Sequence, residues 1–340
     1  MELKGHPLTV LVTGAAGFIG SHLIANLSRS GENVIGVDSF NDYYSVDLKR
    51  NRAQNLLSTF DVPVLEFDLS NHDQVTKLMK DVKPGAVVHL AAQAGVRLPI
   101  SQTNRYVQSN LQGFSNILIE CIKEQIPKFL YASSSSVYGS SRNLPYSESD
   151  MSLRPLSFYG ATKLSNELLA ASLARNSNTK VRGLRFFTVY GEWGRPDMAY
   201  FRLINSALNG AEFTLFGDGA VKRDFTYIDD VTNTVTKLFE QLDKENLGFH
   251  DVVNIGGGNP ISMNEMISLI SSYSDVALRI KRIGQHLNDV QNTEADPKYL
   301  QSLIGFIPTI NVDEGITKVF DWAKKPNVRN KLEHWMSGSI

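Results

Sequence analysis

The chain reads as an α/β protein: a doubly wound parallel sheet followed by a smaller C-terminal α/β domain. Three observations carry that reading. Short β-branched runs alternate with helical patterns as far as residue 180, a glycine-rich loop joins the first run to the first helix, and beyond Arg185 the pattern loosens into glycine and proline clusters. Leu8 to Thr13 (LTVLVT) is the first strand, and a helical pattern through Ser30 follows its loop, with Ile19, Leu23, Ile24 and Leu27 on one side. Asn33 to Asp38, Val62 to Phe67, Ala86 to Leu90 and Lys128 to Ser133 read as further buried strands, with helices near Tyr106 to Glu124 and Phe158 to Asn176. Strands that alternate with helices pair in parallel through crossovers, because a parallel return needs a long connection.

Past Arg185 the runs YGEWGRP, FGDG and GGGNP separate helical stretches near Met198 to Asn209, Asp229 to Leu242 and Met263 to Tyr273. Such a region caps a sheet. Asp251 to Gly257 (DVVNIGG) still has the character of a core strand, so the division expected is residues 1–185 as a dinucleotide-binding domain, rejoined by about 223–261, with 186–222 and 262–330 as the substrate-binding domain.

Composition narrows the partners. With 34 basic and 35 acidic residues and a formal net charge of -1, the chain lacks the basic excess that a nucleic-acid binder uses to release counterions. No apolar run reaches the roughly 18 residues needed to cross a bilayer, and the N-terminal apolar stretch runs straight into the glycine loop, as a core strand would and a signal peptide would not. Cys121 is the only cysteine, so neither an internal disulfide nor a structural zinc site is expected, and no metal is called for; the cytoplasm is the expected compartment.

In TGAAGFIG, Gly14, Gly17 and Gly20 stand between a strand and a helix. Glycines there allow a tight turn and close approach of the backbone to a pyrophosphate, whose charge meets the free N–H groups at the helix start. A dinucleotide is the expected ligand, in the Rossmann manner; packing alone is the plainer alternative. Asp38 ends the second strand, 18 positions after Gly20, where a carboxylate accepts hydrogen bonds from the adenine ribose and repels a 2′-phosphate. NAD is therefore favoured over NADP. Asp68 has two readings, an adenine contact or a turn residue.

Tyr159 and Lys163 lie four apart on one helix face. A Tyr-x-x-x-Lys arises by chance about 0.6 times in such a chain, so its place matters more than its presence. It opens the helix after the strand that ends in Ser133 to Ser136, on the side of the sheet where crevice ligands bind. A phenol titrates near 10 and is a poor base; an ammonium about 4 Å away, worth roughly three pK units, together with a cationic nicotinamide would bring Tyr159 near neutrality. Ser134 is placed to hydrogen-bond the same reacting oxygen. A polar turn and a half-buried helix tyrosine are the structural alternatives.

TGAAGFIG, Asp38, HLAA (His89 to Ala92), SSSSVYG (Ser133 to Gly139) and YGATK (Tyr159 to Lys163) together resemble the extended short-chain dehydrogenase/reductase superfamily, in order along the whole chain. Within it DSFNDYYSVDLKRNR, AAQAGVR, LRFFTVYGEWGRPDMA, the GDG…KRDFTYIDD stretch and EADPKYL…GFIPT resemble the UDP-glucuronate 4-epimerases. Two departures stand out: Glu192 replaces a usual proline, and HLNDV at His286 to Val290 replaces QPGDV while keeping Asp289. The resemblance implies NAD held by Gly14, Gly17, Phe18, Ile19, Gly20, Asp38, Asp68, Leu69, Ala91, Ala92, Tyr159 and Lys163. It implies catalysis by Tyr159, Lys163 and Ser134, with Tyr159 taking the sugar 4-hydroxyl proton.

A 4-keto uronic acid is a β-keto acid, and it loses carbon dioxide when the breaking bond aligns with the ketone π system. Fixed contacts that hold the carboxylate out of that alignment suppress the loss. Thr188 and Arg195 are the candidates, with Ser134, Ser135, Ser136 and Arg97 assisting. The resemblance places Arg223 at the diphosphate, for which a guanidinium fork is well shaped, and Asp289 at the uridine ribose. It also implies a homodimer through the helices near Tyr106 to Glu124 and Phe158 to Asn176. Three alternatives stay open: a 4-epimerase of a neutral or N-acetylated UDP-hexose, a UDP-glucuronate decarboxylase, and an NAD-binding protein without catalysis.

Overall fold

A computed structural model describes residues 9–284 and 292–336. Leu8 and Asp289 lie outside the described residues. The chain begins β1 (Thr9–Thr13), α1 (Phe18–Arg29), β2 (Asn33–Asp38), α2 (Val46–Leu57), β3 (Val64–Glu66), α3 (His72–Val82) and β4 (Ala86–His89). There follow α4 (Asn104–Tyr106), a π-helical segment Val107–Gly113, α5 (Phe114–Lys123), β5 (Lys128–Ser134), α6 (Phe158–Ala174) and β6 (Lys180–Phe186). The remainder is β7 (Thr188–Tyr190), α7 (Ala199–Asn209), β8 (Glu212–Phe216), β9 (Lys222–Tyr227), α8 (Ile228–Gln241), β10 (His250–Ile255) and β11 (Pro260–Ser262). Last come α9 (Met263–Ser272), β12 (Arg279–Ile283), α10 (Lys298–Ile304), α11 (Val312–Lys324) and α12 (Pro326–Met336).

Seven strands form one sheet in the order β10-β6-β5-β4-β1-β2-β3, every pair parallel. Side-chain alternation explains why the strands read as continuous apolar runs. Val10 and Val12 of β1 enter one buried cluster with Leu23, Ile24 and Leu27 of α1, while Leu11 enters the other with Phe114 and Ile117 of α5. Both faces of the sheet are covered, as parallel sheets require. The strand order reverses direction between β1 and β4, which opens a crevice at their carboxyl ends.

The cap contains two small sheets, β11-β9-β7 and the parallel pair β12-β8. Within 223–261, α8 packs on α1 and β10 lies at the edge of the large sheet, whereas β9 and β11 belong to the three-stranded sheet. No helix among the described residues is long and apolar enough to cross a membrane.

Candidate active site

The loop after β1 is held open by glycine alone. Gly14 has φ 72°, and a Cβ there would lie 2.8 Å from the Ala91 nitrogen at the end of β4. At Gly20 a Cβ would lie 2.1 Å from the Gly14 carbonyl oxygen, so helix and turn approach as closely as backbones can. Gly17 caps α1 with no side-chain hydrogen bond and no acidic residue in the first turn, which leaves its N–H groups for an anion. Asp38 closes the far end: its Oδ2 accepts from Ala16 N (3.0 Å) and its Oδ1 from Phe40 N (2.8 Å). These residues fit a dinucleotide. The Gly20→Ala variant should bind NAD about tenfold or more weakly by calorimetric titration, because backbone strain of order 1–3 kcal/mol falls on the phosphate loop.

Every site residue expected from sequence and described in the structure borders one cavity of about 960 Å³: the glycine loop, Phe18, Ile19, Asp38, Asp68, Leu69, Ala91, Ala92, Arg97, Ser134, Ser135, Ser136, Tyr159, Lys163, Thr188, Arg195 and Arg223. Asp68 does so while also making a turn, its Oδ1 accepting from Ser70 N at 2.8 Å. Asp289 lies outside the described residues.

Tyr159 and Lys163 stand in the first two turns of α6, which Ser157 caps through Gly160 N (3.0 Å). The π-helical segment aims Asn110 inward, where its amide donates to Gln93 O (3.2 Å) and Thr162 Oγ1 (3.1 Å) and its Oδ1 accepts from Gln93 N (2.8 Å). The helix expected over Tyr106 to Glu124 is thus widened, and the extra residue ties the loop after β4 to α6.

The electrostatics differ from the sequence expectation. Lys163 is buried and its Nζ donates to Ala132 O at 2.8 Å, 5.8 Å from the Tyr159 ring centroid. Burial lowers Lys163 to about 8, against the raising effect of Glu167. Burial also pushes the Tyr159 phenol above its ordinary 10, and the groups that oppose this are Arg195 and the Ser134 hydroxyl hydrogen-bonded to it. The lysine does not bond the phenol directly: its ammonium donates to a strand carbonyl, and burial of the phenol outweighs the opposing effects of Arg195 and Ser134.

Arg195 is gripped by Asp197 through Nε–Oδ1 (3.0 Å) and Nη2–Oδ2 (2.5 Å), and the Tyr43 hydroxyl donates to the same Oδ2 at 3.3 Å. Two of its three nitrogens are thus committed to Asp197, and the residue borders the cavity. Arg97 lies over the Phe216 ring at 4.9 Å, and Arg223 Nη1 donates to Lys222 O at 3.0 Å. Glu192 accepts from the Tyr227 hydroxyl at 2.6 Å, a bond that the usual proline could not make.

Sequence reasoning missed Tyr43, Tyr44, Lys49 and Asp197, which also line the cavity. Asp197 follows Arg195 by two residues, a visible signal; the other three lie in DSFNDYYSVDLK, whose polar pattern gives no periodicity to read. Behind the serine run, Ser133 Oγ donates to Glu167 Oε1 (2.5 Å), and Glu167 takes Arg185 in a two-point pair (2.9 and 2.8 Å).

Comparison with known proteins follows the same lines. The model of the NAD dependent epimerase/dehydratase family matches residues 10–256. Protein CapI of Staphylococcus aureus is 40% identical over 332 residues, covering 93% of this chain and 98% of that protein. UDP-glucuronate 4-epimerase 4 of Arabidopsis thaliana is 39% identical over 329 residues, 93% of this chain and 75% of the plant protein. Among solved structures, the UDP-glucuronic acid 4-epimerase of Bacillus cereus in complex with UDP-glucuronic acid and NAD superposes with a TM-score of 0.85 at 36% identity, covering 94% of this chain and 99% of that one.

Proposed function

The chain belongs to the NAD dependent epimerase/dehydratase family, and on that premise we propose that it interconverts UDP-glucuronate and UDP-galacturonate by NAD-dependent inversion at C4, through a transient 4-keto sugar. The observation that carries this reading is the meeting, in one cavity, of the glycine loop, the Ser134-bonded phenol of Tyr159, and the Arg195 guanidinium whose charge favours the ionised phenol. Relatives at 39% and 36% identity named for this activity or bound to this sugar support it.

Bound NAD supplies the acceptor, and then the donor, for the hydrogen at C4. The protein's residues do the rest. Tyr159 takes the proton from the 4-hydroxyl and later returns it, with Ser134 bonding the same oxygen and fixing its direction. Lys163, charged and buried beneath, provides positive potential for the phenolate. The sugar ketone turns over in the cavity, so that the opposite face meets the returning hydrogen. Arg195, Thr188 and the hydroxyls of Ser135 and Ser136 hold the sugar carboxylate out of line with the ketone, which suppresses decarboxylation. Arg223 meets the diphosphate, and Asp289 the uridine ribose.

Two such chains pair through α4–α5 and α6 in this reading, which accounts for the exposure of Val107 (41%), Leu168 (66%) and Leu169 (40%) on those helices. The lone buried Cys121 suits the cytoplasm. The test is a product assay: with UDP-glucuronate the protein should yield UDP-galacturonate that retains deuterium placed at C4. UDP-pentose with release of carbon dioxide would make it a decarboxylase. Turnover of UDP-glucose or UDP-N-acetylglucosamine in place of the acid would make it a neutral-hexose epimerase.

A further inference from the structure

The proposed chemistry leaves unused a fully buried arginine, Arg52, on α2. Its guanidinium reaches two parts of the site at once. Nη1 donates to the carbonyl of Ala16 (2.7 Å) inside the phosphate loop and to the Tyr44 hydroxyl (3.0 Å). Nε donates to the carbonyl of Trp193 (2.8 Å) and Nη2 to that of Gly194 (3.2 Å), the two residues before Arg195. None of these partners carries a charge, so the group is not there to complete an ion pair. A buried guanidinium is costly unless its donors are satisfied, and here every bond goes to a loop that the site must hold in place.

The turn it holds cannot hold itself. Trp193 has φ 59°, an uncommon backbone state for a bulky residue. A Cβ on Gly194 would lie 1.7 Å from the Tyr200 hydroxyl. The Trp193 ring packs on Trp322 (5.2 Å) and Trp335 (5.7 Å) of the C-terminal helices. Trp335 Nε1 in turn donates to Asp47 Oδ2 (2.8 Å) at the start of α2. The turn is thus pinned on its ring side by tryptophans and on its carbonyl side by Arg52.

We infer that Arg52 is a positioning residue that locks the 193–195 turn to the phosphate loop, so that the order NAD imposes on the loop at Ala16 is passed to Arg195 at the sugar end. Its link to the sugar carboxylate rests on the function proposed above; its link between the two loops does not. A lysine in its place keeps the charge but has one point of attachment in place of a fork, and cannot serve Ala16 and both turn carbonyls together.

The test compares Arg52→Lys with the unaltered protein in two ways. In hydrogen exchange with and without NAD, the amides of Glu192 to Arg195 should slow by about tenfold on NAD binding in the unaltered protein and by less than about twofold in R52K at saturating NAD. Equal protection in both, or none in the unaltered protein, overturns the inference whatever the substrate is. With UDP-glucuronate, the share of product appearing as UDP-pentose and carbon dioxide should rise about tenfold in R52K, a ratio that loss of folded protein alone does not move. An unchanged share overturns the link to the sugar end. If the unaltered protein does not turn over UDP-glucuronate, the proposed function fails and the exchange comparison still decides on Arg52. Should R52K fail to fold, Tyr44→Phe, which removes one bond to Nη1 and keeps the ring, should reduce NAD-dependent protection at 192–195 by about two- to threefold; full protection overturns the inference.

Discussion

The Tyr159→Phe variant should lose about three orders of magnitude in kcat for C4 inversion while binding NAD and folding as before. The ring remains, and with it the contact to Tyr106 (6.2 Å between centroids), so what is removed is the oxygen that Ser134 bonds and whose ionised form Arg195 favours. Single-turnover absorbance of bound NAD at 340 nm separates the alternatives, because without the phenol the reduced cofactor should not accumulate on mixing with UDP-glucuronate. A variant that still reduced its cofactor at the unaltered rate would move the base to another group. Burial raises this phenol, so the reactive anion is scarce until opposing charge gathers beside it. Loss of Arg195 should therefore compound with acid: the rate of any Arg195 variant should fall further as pH drops, since less of the phenol is ionised.

That dependence on Arg195 was only half legible in the sequence. The glycine spacing, the strand-ending Asp38 and the Tyr159–Lys163 pair can be read because each is a local pattern with a local cause: a close backbone approach, a strand terminus, one face of a helix. The second cation that acts on the phenol is not a local feature. Lys163, the sequence neighbour, has its ammonium on Ala132 O, while Arg195 arrives from a turn 36 positions beyond Tyr159, held by Asp197. The same reason hides α2. Its buried residues are Leu48, Lys49, Arg52 and Leu57, so charged side chains interrupt the apolar stripe by which helices are recognised. The strands of the cap are short, three to six residues, and pair across long sequence gaps. Their residues show glycine and proline punctuation but no period, and only the paired structure discloses them.

The largest structural effect should come from Glu167→Gln. Glu167 lies on α6 four residues beyond Lys163 and is, among the described residues, the carboxylate hydrogen-bonded to Arg185, which also donates to the Tyr138 hydroxyl (2.9 Å). Breaking a buried pair by neutralising one member leaves the other charge uncompensated, at a cost of about 3–5 kcal/mol. Thermal unfolding should therefore shift down by roughly 5–10 °C. The variant should also change the pH profile in a way that lost stability cannot imitate. Glu167 raises Lys163, which burial has lowered to about 8. Removing that carboxylate lowers it further, so the lysine loses its charge at a lower pH, and the alkaline fall in kcat should begin at least about half a pH unit earlier. Stability moves the other way over the same range. The folded lysine titrates below its ordinary 10.5, so between about 8 and 10.5 the unfolded chain holds the extra proton, and the contribution of Lys163 to folding improves as pH rises through that window. An alkaline loss of activity that shifts in E167Q without a parallel loss of folded protein would assign it to the lysine beside the phenol. An unshifted limb would show that the charge of Lys163 does not govern the step.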